Sequence, residues 1–142
     1  MKWTVMMGVA LATLSATCAS ADVRIRNDPG GIISDRMHTF YRLRDAGERV
    51  VIDGQCYSAC TIVLGILPPD RVCATPRARL GFHAAWVPDM DGRPLTSPEG
   101  TAAMWGFYPD VLRKWINSKG GLSRKLVVLS GRELGSMVRP CN

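Results

Sequence analysis

The chain has 142 residues and 46% hydrophobic content, which suits one small domain and leaves too little for a second sizeable one. Its 18 Lys plus Arg against 12 Asp plus Glu give a formal charge of +6, and a charged fraction of 21% excludes an acidic disordered tail or a long coiled coil. Nine Pro and fourteen Gly predict tight turns between short elements, with four Trp, three Tyr and three Phe as aromatic core material.

Lys2, the apolar run Trp3 to Leu14 and the small residues Ala19, Ser20 and Ala21 follow the order of a secretory signal peptide. The run is short for a permanent membrane span. It predicts cleavage after Ala21, a periplasmic or secreted protein, and membrane contact limited to targeting. An uncleaved anchor or a buried first helix are the competing readings. Residues 1–21 are therefore set apart from a domain over 22–142.

Val23 to Asn27 alternates apolar and polar residues and predicts a strand; Asp28, Pro29, Gly30 and Gly31 predict a turn. Ile33, Met37, Phe40 and Arg44 recur at helical spacing, so a helix is expected over Ile32 to Ala46, stopped by Gly47. Val50 to Ile52 reads as a strand ended by Asp53 and Gly54. Ser58 to Leu67 reads as a mostly buried helix stopped by Pro68 and Pro69. Val72 to Ala74 and Leu80 to His83 supply two more strands, and 84–97, rich in Pro, Gly and Asp, reads as a long exposed loop. Ser97 and Pro98 resemble a helix start. Met104, Tyr108, Val111, Leu112, Trp115 and Ile116 then form one apolar helical face that ends at Gly120 and Gly121. Leu126 to Leu129 fits a helix or a strand equally, and Ser130 with Glu133 suggests a capped short helix. Strand and helix alternate, so the expected class is α/β with a short central sheet flanked by helices.

Cys56, Cys60, Cys73 and Cys141 in an exported chain are disulfide candidates and permit three complete pairings. Cys56 with Cys60 and Cys73 with Cys141 is one of them, the first local and the second tying down the C-terminus. Two His, at 38 and 83, and no pair of close Cys-x-x-Cys motifs leave no expected metal site. No cofactor motif is present either: the glycine pair lacks the Lys-Ser or Lys-Thr ending of a phosphate loop.

The residues that bear chemistry are Gly30, Gly31, Ser58 and His83. A serine at a helix start places its hydroxyl beside free backbone N–H groups, and an imidazole can take its proton near neutral pH. Each residue alone also fits a plain structural role, an N-cap for Ser58 and a hydrogen-bonded strand end for His83.

The blocks V-R-I-R-N-D-P-G-G at 23–31, G-Q-C-Y-S-A-C at 54–60 and P-R-A-R-L-G-F-H at 76–83 resemble, in order and separation, the Clp protease proteolytic subunit family. They are most similar to divergent periplasmic proteins within the Clp/crotonase superfamily. The resemblance implies a small or truncated Clp/crotonase-like domain with Ser58 as nucleophile and His83 as base. It also implies an oxyanion hole from the N–H groups of Gly31 and Ala59. The family's acidic third member lies well beyond the base, where Glu133 is the candidate, with Asp110 or an acid-free dyad as alternatives. The family carries further strand and helix material ahead of the P-G-G block, so an open sheet edge is expected here unless another chain covers it, which makes self-association a candidate property.

Two functions follow. One is an exported serine peptidase that cleaves a peptide or protein substrate through a serine acyl-enzyme, a Clp-like hydrolase. The alternative is a noncatalytic Clp/crotonase-like binding or assembly module in the periplasm. Arg24 and Arg26 with Arg42, Arg44 and Arg49 are candidates for a basic patch, but no nucleic-acid motif accompanies them, so no specific nucleic-acid partner is expected.

Overall fold

The computed structural model describes residues 21–142, and the segment expected to act in targeting lies outside them except for Ala21. Strand β1 (Asp22–Asp28) leads through the glycine pair into helix α1 (Ile33–Asp45), then into strand β2 (Arg49–Tyr57). A 3-10 turn (Ser58–Ile62) runs into the short helix α2 (Val63–Ile66). Strands β3 (Val72–Ala74) and β4 (Arg79–Phe82) follow, then a hairpin of β5 (Trp86–Pro88) and β6 (Pro94–Thr96). Helices α3 (Pro98–Phe107) and α4 (Asp110–Ser118), strand β7 (Val127–Ser130) and helix α5 (Gly131–Gly135) complete the chain.

The domain is a small mixed α/β fold with a central sheet flanked by helices. The sheet order is β1-β2-β4-β7, and β3 also pairs with β2. β3 lies beside Val50 to Ile52 and β4 beside Gln55 to Tyr57, both parallel to β2, while β7 runs antiparallel to β4. β1 pairs with β2 alone and forms one edge. β2 is therefore central, and Val50 and Ile52 are fully buried, as expected of a strand covered on both faces. They pack with Phe40 of α1, Leu80 and Phe82 of β4, Met104 and Tyr108 around α3, and Leu112, Trp115 and Ile116 of α4. Phe82 stands edge-on to Tyr108, with ring centroids 5.3 Å apart. Among the described residues no helix is long and apolar enough to cross a membrane.

Four local expectations change. β2 does not stop at Asp53 and Gly54 but runs through them. A side chain on Gly54 would collide with the Arg26 backbone of β1, and the pairing register slips between Ile25 and Asn27 at that level. The residues that look like a turn make room for an irregularity in the neighbouring strand. The expected loop at 84–97 contains the β5–β6 hairpin, whose base is closed by the Ser97 N–H donating to the Ala85 carbonyl at 2.8 Å. The single apolar helix is two helices, because Tyr108 precedes Pro109 and takes an extended conformation at ψ 132°. Ser97 caps α3 by accepting from the Gly100 N–H at 3.1 Å, whereas Ser130 makes no side-chain cap to α5. Leu126 to Leu129 resolves to a strand over Val127–Ser130.

Asp53 is buried and held by four groups. Arg77 grips both carboxylate oxygens through Nη2 at 2.7 and 2.8 Å, the Thr75 hydroxyl donates at 2.8 Å, and Arg24 Nη1 donates at 3.2 Å. Arg26 lies 3.7 Å away. The Arg77 hydrogen bonds, followed by the Thr75 hydroxyl, hold the carboxyl far below the usual carboxylate range in spite of its burial, and Arg77 is raised in return. The expected basic patch is thus largely spent on internal pairing: Arg24 and Arg26 face Asp53, Arg44 pairs with Asp45, and Arg49 with Asp22.

Both disulfides of the named pairing are present, Cys56–Cys60 and Cys73–Cys141. The second joins β3 to the chain end, where the Cys141 N–H donates to the Ala74 carbonyl at 3.0 Å.

Two predictions follow from this frame. The Cys73–Cys141 bridge closes a separation of 68 residues, so its removal in a Cys73→Ser/Cys141→Ser double variant should cost about 4 kcal/mol by chain entropy, read as a lower urea midpoint. Asp53, depressed in the folded state, contributes fully above the ordinary carboxylate value of about 4 and loses that contribution as the pH falls below it toward the folded value. Asp53→Asn should unfold more easily at neutral pH and show a flatter stability profile below pH about 4 in urea titrations; a profile as steep as the wild type's would assign the acid sensitivity elsewhere.

Candidate functional site

The Ser58 turn is built where β2 leaves the sheet. Ser58 is the one described non-glycine residue with a positive φ, at 55°, a left-handed conformation that a side chain adopts at a cost. Several contacts hold it. The Thr61 hydroxyl donates to the Ser58 carbonyl at 2.7 Å and uses its one proton there, so the Tyr108 hydroxyl, 2.8 Å from Thr61 Oγ1, donates to Thr61. Thr61 is fully buried, and burial pushes the Tyr108 phenol up to about 12. The Cys56–Cys60 bridge straddles Ser58. The expected helix here begins as a 3-10 turn and becomes α-helical only at Val63.

Facing this turn is the loop after β1. Gly30 has φ 103°, and a Cβ on it would lie 2.6 Å from the Ser58 Cβ and 2.8 Å from the Tyr57 carbonyl oxygen. Gly31 has φ 121° and open space where a Cβ would stand. Asp28 Oδ1 accepts from the Gly30 N–H at 2.9 Å and from Arg36 Nη2 at 2.8 Å, and the same Nη2 donates to the Gly30 carbonyl at 2.8 Å. An Asx-type turn and an arginine clamp therefore fix the glycine pair against the serine turn. Among the described residues, neither the Gly31 nor the Ala59 N–H donates to a protein acceptor.

Ser58, Gly31 and His83 come together in the lining of one cleft of about 550 Å³. Its other walls are Pro29, Ile32, Ile33 and Ser34 before and within α1, Ala85 to Pro88 around β5, and Ser97, Gly100 and Met104 at α3. Among the described residues no Asp, Glu, Lys or Arg lines it. Trp86, Val87 and Ile32 are 54, 48 and 67% exposed, so the cleft has an apolar rim open to solvent. The hairpin that supplies this rim was missed by sequence reasoning, although Trp86, Val87 and Leu95 were its apolar signal within a stretch of turn residues.

His83 and Ser58 share the cleft without a mutual hydrogen bond among the described residues. His83 Nδ1 lies 2.7 Å from the Ala84 carbonyl oxygen. A carbonyl only accepts, so Nδ1 carries the proton, and in the neutral ring Nε2 is the acceptor. Glu133 is placed elsewhere: it lies on α5 with its carboxylate 3.6 Å from Nζ of Lys119 at the end of α4, and it does not line the cleft. Asp110 pairs with Arg113 at 3.5 Å and is likewise outside it. Among the described residues no group of His, Cys, Asp and Glu is gathered so as to hold a metal ion.

The glycine pair gives a graded expectation. Gly31→Ala meets only the cost of a left-handed residue, about 1 to 2 kcal/mol, whereas Gly30→Ala adds a backbone collision and should lower the unfolding midpoint clearly further. Thermal unfolding of the two variants checks the order; equal losses would mean that the contact between the loop and the Ser58 turn is loose.

No family model matches the chain, and no curated protein matches it. Among solved structures, a ClpP1 point mutant from Listeria monocytogenes is similar at 15% identity and a TM-score of 0.46, over 81% of this chain and 67% of that chain. The chain is a small mixed α/β domain with a central sheet flanked by helices.

Proposed function

We propose that the chain is a Clp/crotonase-like binding module that captures an extended peptide segment by an apolar side chain in the cleft beside Ser58. The observation that carries this reading is the cleft itself. In a chain of formal charge +6, about 550 Å³ of space is lined, among the described residues, without a single Asp, Glu, Lys or Arg and is rimmed by Ile32, Trp86 and Val87. A concave, mostly apolar surface with a few polar groups is the usual form of a ligand site. Export belongs to the same proposal and is supported by the basic, apolar and small-residue order of 1–21 and by two disulfides. The open edge of β1 supports self-association in the same sense.

A serine hydrolase is the second reading, favoured by one specific observation: the strained φ of Ser58 beside two N–H groups without acceptors. In that chemistry Ser58 Oγ attacks a carbonyl carbon, His83 Nε2 takes the proton, and the Gly31 and Ala59 N–H groups face the oxyanion; His83 then returns the proton to the departing amine. The binding reading requires none of these steps.

Calorimetric titration with an N-acetylated, C-terminally amidated peptide of Ala and Leu separates them. Binding should appear in the wild type, persist in Ser58→Ala within about threefold, and weaken at least tenfold in Val87→Asp, which sets a charge on the apolar rim; tenfold is about 1.4 kcal/mol. Cleaved peptide, together with a fluorophosphonate adduct on Ser58 that disappears in His83→Ala, would replace the binding module by the hydrolase. Absence of binding and of adduct would remove both.

A further inference from the structure

A second cavity of about 370 Å³ adjoins the first. It is lined by His83, Ala84, Trp86, Pro94, Thr96 and Arg124, and His83 and Trp86 belong to both linings. The two differ in charge: the Ser58 side carries no Lys or Arg, and the other side carries one guanidinium.

Arg124 is exposed. Many arginines of this chain are paired internally, Arg24, Arg36, Arg77 and Arg113 with carboxylates among them. The Arg124 side chain has no hydrogen-bond or ion-pair partner among the described residues, and no Asp or Glu lines either cavity. The acids of the neighbouring hairpin are engaged: Asp91 pairs with Arg93 at 3.5 Å, and Asp89 Oδ1 accepts from the Asp91 and Arg93 N–H groups at 2.9 and 2.8 Å.

The position of Arg124 is nevertheless defined. The Ala84 N–H donates to the Ser123 carbonyl at 2.7 Å, and Ser123 Oγ accepts from the Lys125 N–H at 3.2 Å. Ser123 is thereby tied to the end of β4, next to His83, and Arg124 sits in the local turn that the Ser123–Lys125 bond closes. The result is an uncommitted cation held at the mouth of an apolar cleft, with the Thr96 hydroxyl in the same lining.

We infer that the cleft selects a peptide carrying a carboxylate next to its apolar residue, the apolar side chain lying between Ile32, Val87 and Met104 and the carboxylate meeting Arg124. A planar guanidinium presents two parallel N–H donors to a carboxylate, and neutral walls beside it strengthen the discrimination between a charged and an uncharged ligand end. The inference rests on the peptide-binding reading above and adds Arg124 to it as a specificity-determining residue. The carboxylate has two chemical sources, a chain's C-terminal α-carboxylate or an Asp or Glu side chain.

The test is calorimetric titration of the full chain with three N-acetylated peptides of equal length around a central Leu: a free C-terminal acid, its amide, and an amide ending in Glu. The acid should bind at least tenfold more tightly than the plain amide at low ionic strength, and Arg124→Gln should bring the ratio of the two dissociation constants to about one. Arg124→Lys should retain part of it. A Glu amide that matches the free acid supports the side-chain source, and one that matches the plain amide supports the α-carboxylate. Acid and amide binding equally, or a ratio that survives Arg124→Gln, overturns the role of Arg124 while leaving the cleft reading in place. Failure of all three peptides to bind overturns both. Unfolding midpoints of the Arg124 variants should equal the wild type's, since the side chain makes no hydrogen bond or ion pair among the described residues, so a changed ratio reads recognition and not folding.

Discussion

Two loops approach so closely at Gly30 and Ser58 that one of them must lack a side chain. A methyl group on Gly30 would stand 2.6 Å from the Ser58 Cβ, inside any carbon–carbon contact distance. This approach is what allows the end of β1 and the end of β2 to form one wall of the cleft. It also explains why the remaining contacts are concentrated on the two loops. Asp28 and Arg36 clamp the glycine side, while Thr61, Tyr108 and the Cys56–Cys60 bridge hold the serine side. A positive φ at a residue with a side chain persists only where its surroundings over-determine it, and here the Thr61 hydroxyl on the Ser58 carbonyl, backed by Tyr108, and the flanking Cys56–Cys60 bridge do so.

The charge layout follows from the same economy of space. β2 is central and covered on both faces, so Asp53 within it needs compensation, and Arg77, Thr75 and Arg24 converge on it. An unpaired carboxylate there would face a desolvation cost that the surrounding fold cannot absorb. The consequence reaches the surface. Several arginines that composition alone would assign to a basic patch, Arg24, Arg26, Arg44 and Arg49, are paired with carboxylates of the same chain. What is left unpaired then gains meaning, and Arg124 beside the cleft is such a group.

The parts of the molecule legible in the sequence are those set by local rules. The β1 alternation, the Asp28 to Gly31 turn, the α1 periodicity and the Ser97 cap each depend on a few neighbouring residues, and each element appears within a residue or two of its expected bounds. Ser58, His83 and Gly31 were legible as a group because three short blocks occur in a recognisable order, and the structure brings them to one cleft. The illegible parts are tertiary. Asp53 and Gly54 look like a turn in isolation; only the approach of the Arg26 backbone and the converging arginines make them strand residues. The hairpin at 86–96 has three-residue strands with exposed side chains, too short and too irregular to show a period. Glu133 was chosen by chain order, whereas its actual partner Lys119 depends on how α5 meets the end of α4.

The choice between binding and hydrolysis turns on what His83 has to lean on. Its Nδ1 proton is already given to the Ala84 carbonyl, which sets the tautomer that a general base needs. A carbonyl, however, carries only a partial charge. During acyl transfer the imidazole becomes a cation, and a buried carboxylate stabilises that cation far more than a neutral dipole does. Among the described residues no Asp or Glu lines either cavity, and the charge in the linings is the guanidinium of Arg124. A guanidinium favours an anionic ligand, so the charge that the linings do hold serves the binding reading.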